Sequence, residues 1–285
     1  MKVRVRAARA NDKKPLMSFI KNVWGGHDYI PRVWDDWLKD RNGRMFVVEV
    51  GGVPVGMNRV RFLEDGSAWF EGARVHPNFR GMGLASKLGV RTMRVARNQG
   101  IRVFRLVSGS RNRSAHRQIA RMRFKETSRI SVYVPGKGAR FVPEKGVSLA
   151  APDDLERVMR LVKKSREFKL GSGVFWDSFA AKSLDSSMVK GLIRDQSVWI
   201  KDESVAIAKV GREEGIGWRQ VCFLAGNDDG PLKLVSHVFG LKVKGRTSLR
   251  LVYMPQGSRM IGILRRSGFV RWSSLILFQR TAAKG

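Results

Sequence analysis

A turn with two glycines, placed between an apolar strand and a helix, is the first feature of the sequence that points to chemistry. The apolar run 68–75 ends at Val75, a short loop leads to Gly81 and Gly83, and a helical pattern starts at Leu84. Glycine allows positive φ and lets the backbone approach a ligand closely. Amides at the start of a helix lack intrahelical partners and attract anions. Two interpretations stay open, a phosphate-binding turn or a glycine-rich connection that binds nothing.

A single carboxylate, Glu71, lies in an apolar-flanked strand just before this turn. No acid occurs from residue 72 to residue 125, although that stretch carries fourteen Lys and Arg. A lone acid in such a strand is either an active-site group with a perturbed pKa or one half of an ion pair that fixes the sheet. The candidate partners for an ion pair are Arg59, Arg61 and Arg74.

The residues around the turn resemble the motifs of the GNAT acetyltransferases. Arg80-Gly81-Met82-Gly83-Leu84-Ala85 is similar to the signature R/Q-x-x-G-x-G/A of that family, and residues 75–79 (VHPNF) resemble its V-x-P-x-[YF] lead-in. Downstream, Asn112, Ala115, Arg121 and Phe124 resemble its N-x-x-A…K-x-G-F segment. The resemblance covers residues 1–135 well, whereas 147–285 share only the order of elements. It implies transfer of an acetyl group from acetyl-CoA to an amine, without a metal.

The resemblance also implies a role for each part of the site. The Val75 amide would polarise the thioester carbonyl. Glu71, nine residues before the signature arginine, would be the general base. His27 and Tyr29 lie in the segment that shapes the acceptor site in this family, although a plain connecting loop is the alternative. The implied cofactor-binding set is Ala73, Arg74, Val75, Arg80, Gly81, Met82, Gly83, Leu84, Ala85, Ser86 and Asn112.

The usual general acid of the family is missing. Its tyrosine, seven residues after the helix asparagine, falls on Ile119, which has no proton to donate. Ser114, His116 or water stay as alternative donors, and His116 is equally well interpreted as a surface residue. The departure affects the mechanism and leaves the expected cofactor unchanged.

The chain repeats one pattern of helices and strands twice. Residues 121–124 parallel residues 266–269, and each Phe leads into an apolar strand. We therefore expect an α/β (α+β) fold of two GNAT-like domains, each with a mixed, mostly antiparallel central sheet, flanking helices and a splay between strands 4 and 5. The expected division is a catalytic domain at 1–135, a linker at 136–146 and a degenerate domain at 147–285.

The second half lacks a phosphate-binding turn of the same type. Its equivalent segment, 225–231, has no arginine and no G-x-G, and it carries Asp228 and Asp229. Two carboxylates repel a pyrophosphate, at a cost of about 1–4 kcal/mol for charges a few ångströms apart. We expect that this half does not bind coenzyme A in the same way.

Composition limits the class of protein. The chain has 285 residues, 43% of them hydrophobic, which fits a folded protein with a core. It has no run of eighteen apolar residues, and its N-terminus alternates basic and apolar residues, so a cytoplasmic protein without a membrane span is expected. The single cysteine, Cys222, excludes an internal disulfide and a thiolate metal site.

The formal net charge of +31 supplies an alternative function. Such a field attracts polyanions, so a basic protein associated with nucleic acid or the ribosome, catalytic or not, is the rival hypothesis. The acceptor (amino acid, peptide or small amine) and the choice between monomer and dimer stay open. The basic helix faces that would serve the rival function are Lys87, Arg91 and Arg94 on one helix and Arg113, Arg117 and Arg121 on the next.

Overall fold

The computed structural model describes residues 1–213, 216–243 and 248–282. The chain folds into two compact units. The first contains Met1–Ser108, Asn112–Lys125 and the chain from Phe278, and the second contains Gly109–Arg111 and Glu126–Leu277. This grouping differs from the expected division, because residues 126–135 join the second unit and the C-terminal residues join the first. The assignment of one catalytic and one degenerate domain stays a prediction.

The first unit is a sheet flanked by helices. Its spatial order is β1-β2-β3-β4-β5, followed by residues 278–281 of the last strand, β14 (Phe269–Thr281). The other strands are β1 (Val3–Ala7), β2 (Gly43–Val50), β3 (Val53–Phe62), β4 (Ser67–Val75) and β5 (Val103–Gly109). The helices are α1 (Lys13–Ile20), α2 (Ile30–Lys39), α3 (Leu84–Asn98) and α4 (Arg113–Arg121).

The pairing of β4 with β5 ends early. Strands β1 to β4 are antiparallel neighbours, whereas β4 and β5 run parallel because α3 connects them. The parallel register runs from Ser67 opposite Val103 to Phe70 opposite Leu106. Beyond it, residues 71–75 have no partner on β5 within the described ladder. The expected splay between strands 4 and 5 is confirmed.

A bulge in β4 lies at Gly72 and Ala73. Arg59 pairs with Glu71 and Met57 pairs with Arg74, so two residues of β4 stand opposite Asn58. Gly72 has a φ of +67°, a conformation that residues with a side chain rarely adopt. The bulge lies three residues before Val75, because Gly72 is where the strand can turn left-handed.

The two faces of this sheet are covered differently. Helices α1 and α2 bury Leu16, Ile20, Ile30 and Trp34 against one face. On the other face, α3 is tied to β3 by a buried hydrogen bond of 2.7 Å from Asn58 Nδ2 to Thr92 Oγ1. The sheet that carries the site described below is therefore packed on both faces.

The second unit has a similar order of elements. Its sheet runs as residues 269–277 of β14, then β6-β13-β12-β11-β10-β7, and within the described residues only the pair β12–β13 is parallel. The strands are β6 (Lys125–Pro135), β7 (Ser148–Leu149), β8 (Val174–Asp177), β9 (Ala180–Ser183), β10 (Val198–Lys201), β11 (Ser204–Glu213), β12 (Ile216–Ala225) and β13 (Ser248–Pro255). The helices are α5 (Leu155–Lys164), α6 (Arg166–Leu170), α7 (Ser186–Arg194), α8 (Gly230–Gly240) and α9 (Met260–Arg266).

Both units match the expected fold class, a mixed and mostly antiparallel central sheet with flanking helices. The separate hairpin β8–β9 was not predicted. Among the described helices, none combines the length and the apolar character needed to cross a bilayer.

We predict that Gly72→Ala destabilises the protein more than Gly66→Ala. Both glycines have positive φ, but an added Cβ at Gly72 would lie 2.7 Å from Trp37 Cζ3, whereas at Gly66 it would meet nothing within 4 Å. The expected losses in free energy of unfolding, measured by urea denaturation, are about 2–4 kcal/mol for Gly72→Ala and about 1–2 kcal/mol for Gly66→Ala. Equal losses would contradict the tight packing of the bulge against α2.

Candidate functional site

The glycine turn before α3 is open to a ligand. Gly81 and Gly83 have φ of +85° and +70°, and Gly83 is the N-cap residue of α3 without a capping side chain. A Cβ built on either glycine would meet nothing within 4 Å. The side of the turn that a phosphate would approach is thus free of protein atoms near both glycines.

The backbone amides of residues 81–86 also indicate that the turn is open to a ligand. Within the described chain, no hydrogen-bond acceptor stands opposite these amides, and the first backbone bond here runs from Lys87 N to Gly83 O at 3.1 Å. Free amides and the dipole of a fifteen-residue helix converge on the turn. The residues present therefore fit a diphosphate, as the sequence predicts.

Short contacts hold the loop that joins β4 to the turn. Arg80 Nε donates to the carbonyl oxygen of Val75 at 3.4 Å, and Arg80 N donates to Pro77 O at 3.2 Å. Asn78 N donates to His76 Nδ1 at 3.2 Å. These bonds fix the end of β4 relative to the start of α3.

The amide of Val75 faces the gap beside β5. His76 N donates to Val55 O on β3 at 2.8 Å. Since successive amides of a strand point in opposite directions, the Val75 amide points away from β3. It lies beyond the last β4–β5 pair, so it is available to an extended ligand or to a carbonyl oxygen.

Glu71 lies at the centre of an ion-pair network. Its Oε1 accepts a hydrogen bond of 2.5 Å from Arg59 Nη1 and lies 3.6 Å from Arg61 Nε. Arg59 also donates to Asp40, and its guanidinium stacks 4.6 Å from the ring centroid of Trp37. The ion-pair interpretation of Glu71 is thereby confirmed for Arg59 and Arg61, whereas Arg74 pairs elsewhere.

Burial raises the pKa of Glu71 above its ordinary value, and the positive charges of Arg61 and Arg59 oppose this rise. The side chain of Glu71 keeps 15% of its surface exposed. An acid whose pKa is raised and whose side chain stays partly exposed to solvent is a candidate proton acceptor. The ion pair and a catalytic role are therefore compatible in this geometry.

Tyr29 packs against Trp37, which contacts the Arg59–Glu71 ion pair, whereas His27 is exposed. The ring of Tyr29 packs edge-on against Trp37, with centroids 5.7 Å apart, and burial raises the pKa of Tyr29 to about 12. Its neighbour Asp28 accepts from Arg74 Nε at 2.6 Å. His27 is exposed, so the two residues proposed for the acceptor side occupy different environments.

Asn112 and the residues after it stand on α4. The Oδ1 of Asn112 caps the helix by accepting from Ala115 N at 3.1 Å, which leaves its amide NH2 without a partner among the described residues. Ile119 is buried, His116 packs 5.4 Å from Phe278, and Ser114 is exposed. His116 lies one turn after Asn112, so both side chains are on one side of α4.

Sequence reasoning missed the contributions of Asp40, Asp28 and Asn58. The two aspartates lie in loops at the ends of α2, far along the chain from their arginine partners. Asp40 does precede an Asn-Gly turn and accepts from Asn42 N at 2.8 Å, a local signal for the turn only. No spacing in the sequence connects these residues with Glu71.

The corresponding turn of the second unit is filled by protein. An added Cβ at Gly226 or at Gly230 would collide with the side chain of Ser204. Asp229 is engaged by Lys233 Nζ at 2.7 Å. Next to it, the space around Trp176, Cys222 and Tyr253 amounts to about 10 Å³, too small for a cofactor. The described residues of the chain contain no group of three or more His, Cys, Asp or Glu side chains suited to a metal ion.

Comparison with known proteins agrees with this geometry. The profile of the acetyltransferase (GNAT) family matches residues 13–124, which include β4, the glycine turn, α3 and α4. Residues 13–124 belong to the GNAT acetyltransferase family. The resemblance deduced from the motifs is confirmed, and acetyl-CoA is the acetyl donor that enzymes of this family use.

Solved structures show that the fold extends over the whole chain. A GCN5-related N-acetyltransferase from Sphaerobacter thermophilus aligns with a TM-score of 0.63 over 99% of this chain and 96% of its own, at 16% identity. A structure from Thermoplasma acidophilum aligns with a TM-score of 0.59 over 99% and 100%, at 18% identity. At these identities the comparison supports the fold alone.

A curated relative matches a shorter segment. The histidine N-acetyltransferase of Oreochromis niloticus is 32% identical over 82 residues, which are 28% of this chain and 24% of that protein. The match thus spans about a quarter of the relative's length.

We predict that Gly83→Ala weakens acetyl-CoA binding, whereas Gly100→Ala does not. Both glycines flank α3, have positive φ (+70° and +75°) and have open space where a Cβ would stand, so the backbone strain is matched. Only the Cβ at residue 83 would occupy the phosphate side of the turn. By calorimetry, the dissociation constant should rise about 10-fold or more for Gly83→Ala, or at least about 1.4 kcal/mol. Equal affinities of the two variants would show that the turn does not hold the cofactor.

Proposed function

We propose that the protein is an N-acetyltransferase that moves the acetyl group of acetyl-CoA to an amine, with the reaction centred on β4 and the glycine turn. The observation that carries this proposal is the conjunction of free amides at residues 81–86 with the unpaired edge of β4. A turn that only connected two elements would not need both features. Acetyl-CoA supplies a thioester-activated acetyl group and a diphosphate anchor.

Each part of the site has a defined task in this proposal. The amides of residues 81–86 bind the diphosphate, and the NH2 group of Asn112 holds the pantetheine arm. The backbone of Ala73 and Val75 pairs with that arm along the open edge of β4. The Val75 amide donates to the thioester oxygen, where negative charge grows during attack, and this donation is worth several kcal/mol in a dry site.

Glu71 accepts the proton that the amine must lose. An alkyl amine is mostly protonated near neutral pH, so nucleophilic attack requires a base in contact with it directly or through water. Arg59 holds the carboxylate in place through the 2.5 Å bond, and the positive charges of Arg61 and Arg59 oppose the rise in its pKa that burial causes. His116, on the same side of α4 as Asn112, is our candidate for returning a proton to the sulfur.

The proposed acceptor is the α-amine of a free amino acid, and histidine is the first candidate. The relative that matches part of this chain is named a histidine N-acetyltransferase. Arg61 is the proposed partner for the carboxylate of such an acceptor, because it lies beside Glu71 and keeps 27% of its side chain exposed. Polyamines fit less well, since the chain carries a net charge of +31.

We predict that Glu71→Gln lowers kcat about 100-fold or more while the KM for acetyl-CoA changes little, as expected for loss of a general base. Asp40→Asn is the matched control, because it removes the other carboxylate that contacts Arg59. If the network were only structural, both variants would lose activity in parallel with their melting temperature. A kcat of Glu71→Gln within a few-fold of wild type would exclude Glu71 as the base.

The pH dependence provides a separate measurement on the same residue. The base acts in its deprotonated form, so kcat/KM should fall as the pH drops through the pKa of Glu71, which burial raises above its ordinary value. We expect the acidic limb of the wild-type profile to be absent in Glu71→Gln. An unchanged acidic limb in this variant would assign the titration to another group.

The acceptor is tested by a panel of amines assayed through release of the coenzyme A thiol. Histidine and other free amino acids should be acetylated faster than their carboxamides, and polyamines should react slowest. Arg61→Gln should raise the KM for an amino acid about 10-fold and leave the KM for its carboxamide unchanged, since a guanidinium–carboxylate contact contributes about 1.5–3 kcal/mol. A carboxamide that reacts as well as its amino acid would contradict the role of Arg61.

A further inference from the structure

Helices α3 and α4 present a face whose positive charge the active site does not use. Exposed basic side chains recur every three or four residues on both helices and at the end of α4. We call these residues the α3–α4 basic face: Lys87, Arg91, Arg94, Arg97, Arg113, Arg117, Arg121 and Arg123.

No carboxylate neutralises this face. Across the chain that the structure describes, none of its eight members takes part in an ion pair. The segment 72–125 contains no acid at all. Elsewhere in the same unit, arginines do pair with acids, as Arg59, Arg74 and Arg105 show. The described side chains of this face therefore carry only positive charge along both helices.

The two helices are held side by side, so their charges form one surface. Ser86 Oγ donates to Gln118 Oε1 at 3.0 Å. The sulfur of Met122 packs against Gly89, where a Cβ would collide with it. At the far end, Arg280 donates to Met122 O at 2.7 Å, and its pKa is lowered by burial and by the charges of Arg97 and Arg123. Three guanidinium groups therefore come together, and among the described residues no carboxylate forms an ion pair with any of them.

The diphosphate of acetyl-CoA is too far away to be that anion. Arg97 lies fourteen residues along α3 from Gly83, which corresponds to about 21 Å at about 1.5 Å per residue. The basic residues of α3 extend over about 15 Å, and a nucleic-acid duplex presents about one charge per 1.7 Å of its axis, so about nine phosphates fall within this span.

We propose that the α3–α4 basic face binds the phosphate backbone of a nucleic-acid duplex, independently of its base sequence. Aromatic side chains, which single-stranded ligands use for base stacking, are absent from the exposed large hydrophobic residues described on these helices, where only Val90 appears. A single exposed valine among eight cations also gives little apolar area for insertion into a bilayer. The surface is a second binding site that does not depend on the acetyl-transfer proposal.

The test uses the full-length protein and a short RNA duplex followed by fluorescence anisotropy at several salt concentrations. The variant replaces Arg94, Arg97, Arg121 and Arg123 by Gln, none of which has a role in acetyl transfer. The control replaces four exposed arginines of the second unit that form no ion pair with another described residue, Arg160, Arg166, Arg259 and Arg266, so both proteins lose the same charge.

The expected result is a clear difference between the two variants. The slope of log K against log salt should fall by about 4 in the α3–α4 variant and by less than about 1 in the control. A DNA duplex of the same sequence should bind within a few-fold of the RNA. Acetyl transfer to a small amine should be unchanged in both variants, which separates this test from that of the proposed function.

Three outcomes would overturn the proposal. Equal loss in the two variants would mean that total charge alone causes binding. Absence of salt-dependent binding by the wild-type protein would remove the duplex as a ligand. Tighter binding to vesicles of anionic lipid than to either duplex, lost in the α3–α4 variant, would assign the face to a membrane surface.

Discussion

The structure depends on a set of backbone amides that the fold leaves without partners. The first turn of α3 begins directly after two left-handed glycines, and in the part of the chain that the structure describes neither a capping side chain nor a loop carbonyl satisfies the amides of residues 81–86. Unpaired amides are costly when buried and harmless when they face solvent or an anion. The glycines keep them accessible, because any larger residue would place a Cβ on the open side of the turn. The second unit shows the opposite solution, in which Ser204 closes the equivalent turn.

The geometry of the proposed reacting centre depends on a second constraint, the bulge at Gly72. The bulge shifts the register of β4 directly after Glu71, which pairs with Arg59 on β3. From residue 71 onward, β4 no longer pairs with β5 in the described ladder. The buried bond between Asn58 and Thr92 connects the strand opposite the bulge with α3. A carboxylate, a free strand edge and the phosphate turn are thereby held on one stretch of chain. An ion pair and a catalytic base are often treated as alternatives, but the geometry of Glu71 is compatible with both, because Arg59 orients a carboxylate whose pKa burial raises.

The sequence predicted the local parts of this arrangement and missed the distant ones. The motif around Gly81 and Gly83 depends on local backbone geometry, which can be read from the sequence. It therefore predicted the helix at 84–98, the splay between strands 4 and 5, and the family that residues 13–124 match. The partners of Arg59 and Arg74 were missed because Asp40 and Asp28 approach them only through tertiary packing. The bulge at Gly72 was not predicted, since spacing from the motif does not show which residue takes positive φ. The roles of the named site residues stay predictions.

The central claim is that the free amides at the start of α3 receive the diphosphate of acetyl-CoA. Hydrogen exchange of individual amides, followed by NMR with and without saturating acetyl-CoA, tests it most directly. The account predicts fast exchange at residues 81–86 in the free protein, about 10-fold or more slower exchange in the complex, and no change at residues 226–230, because protection follows hydrogen bonding of each amide. Binding heat without slower exchange at residues 81–86, or protection at the second turn instead, would contradict it.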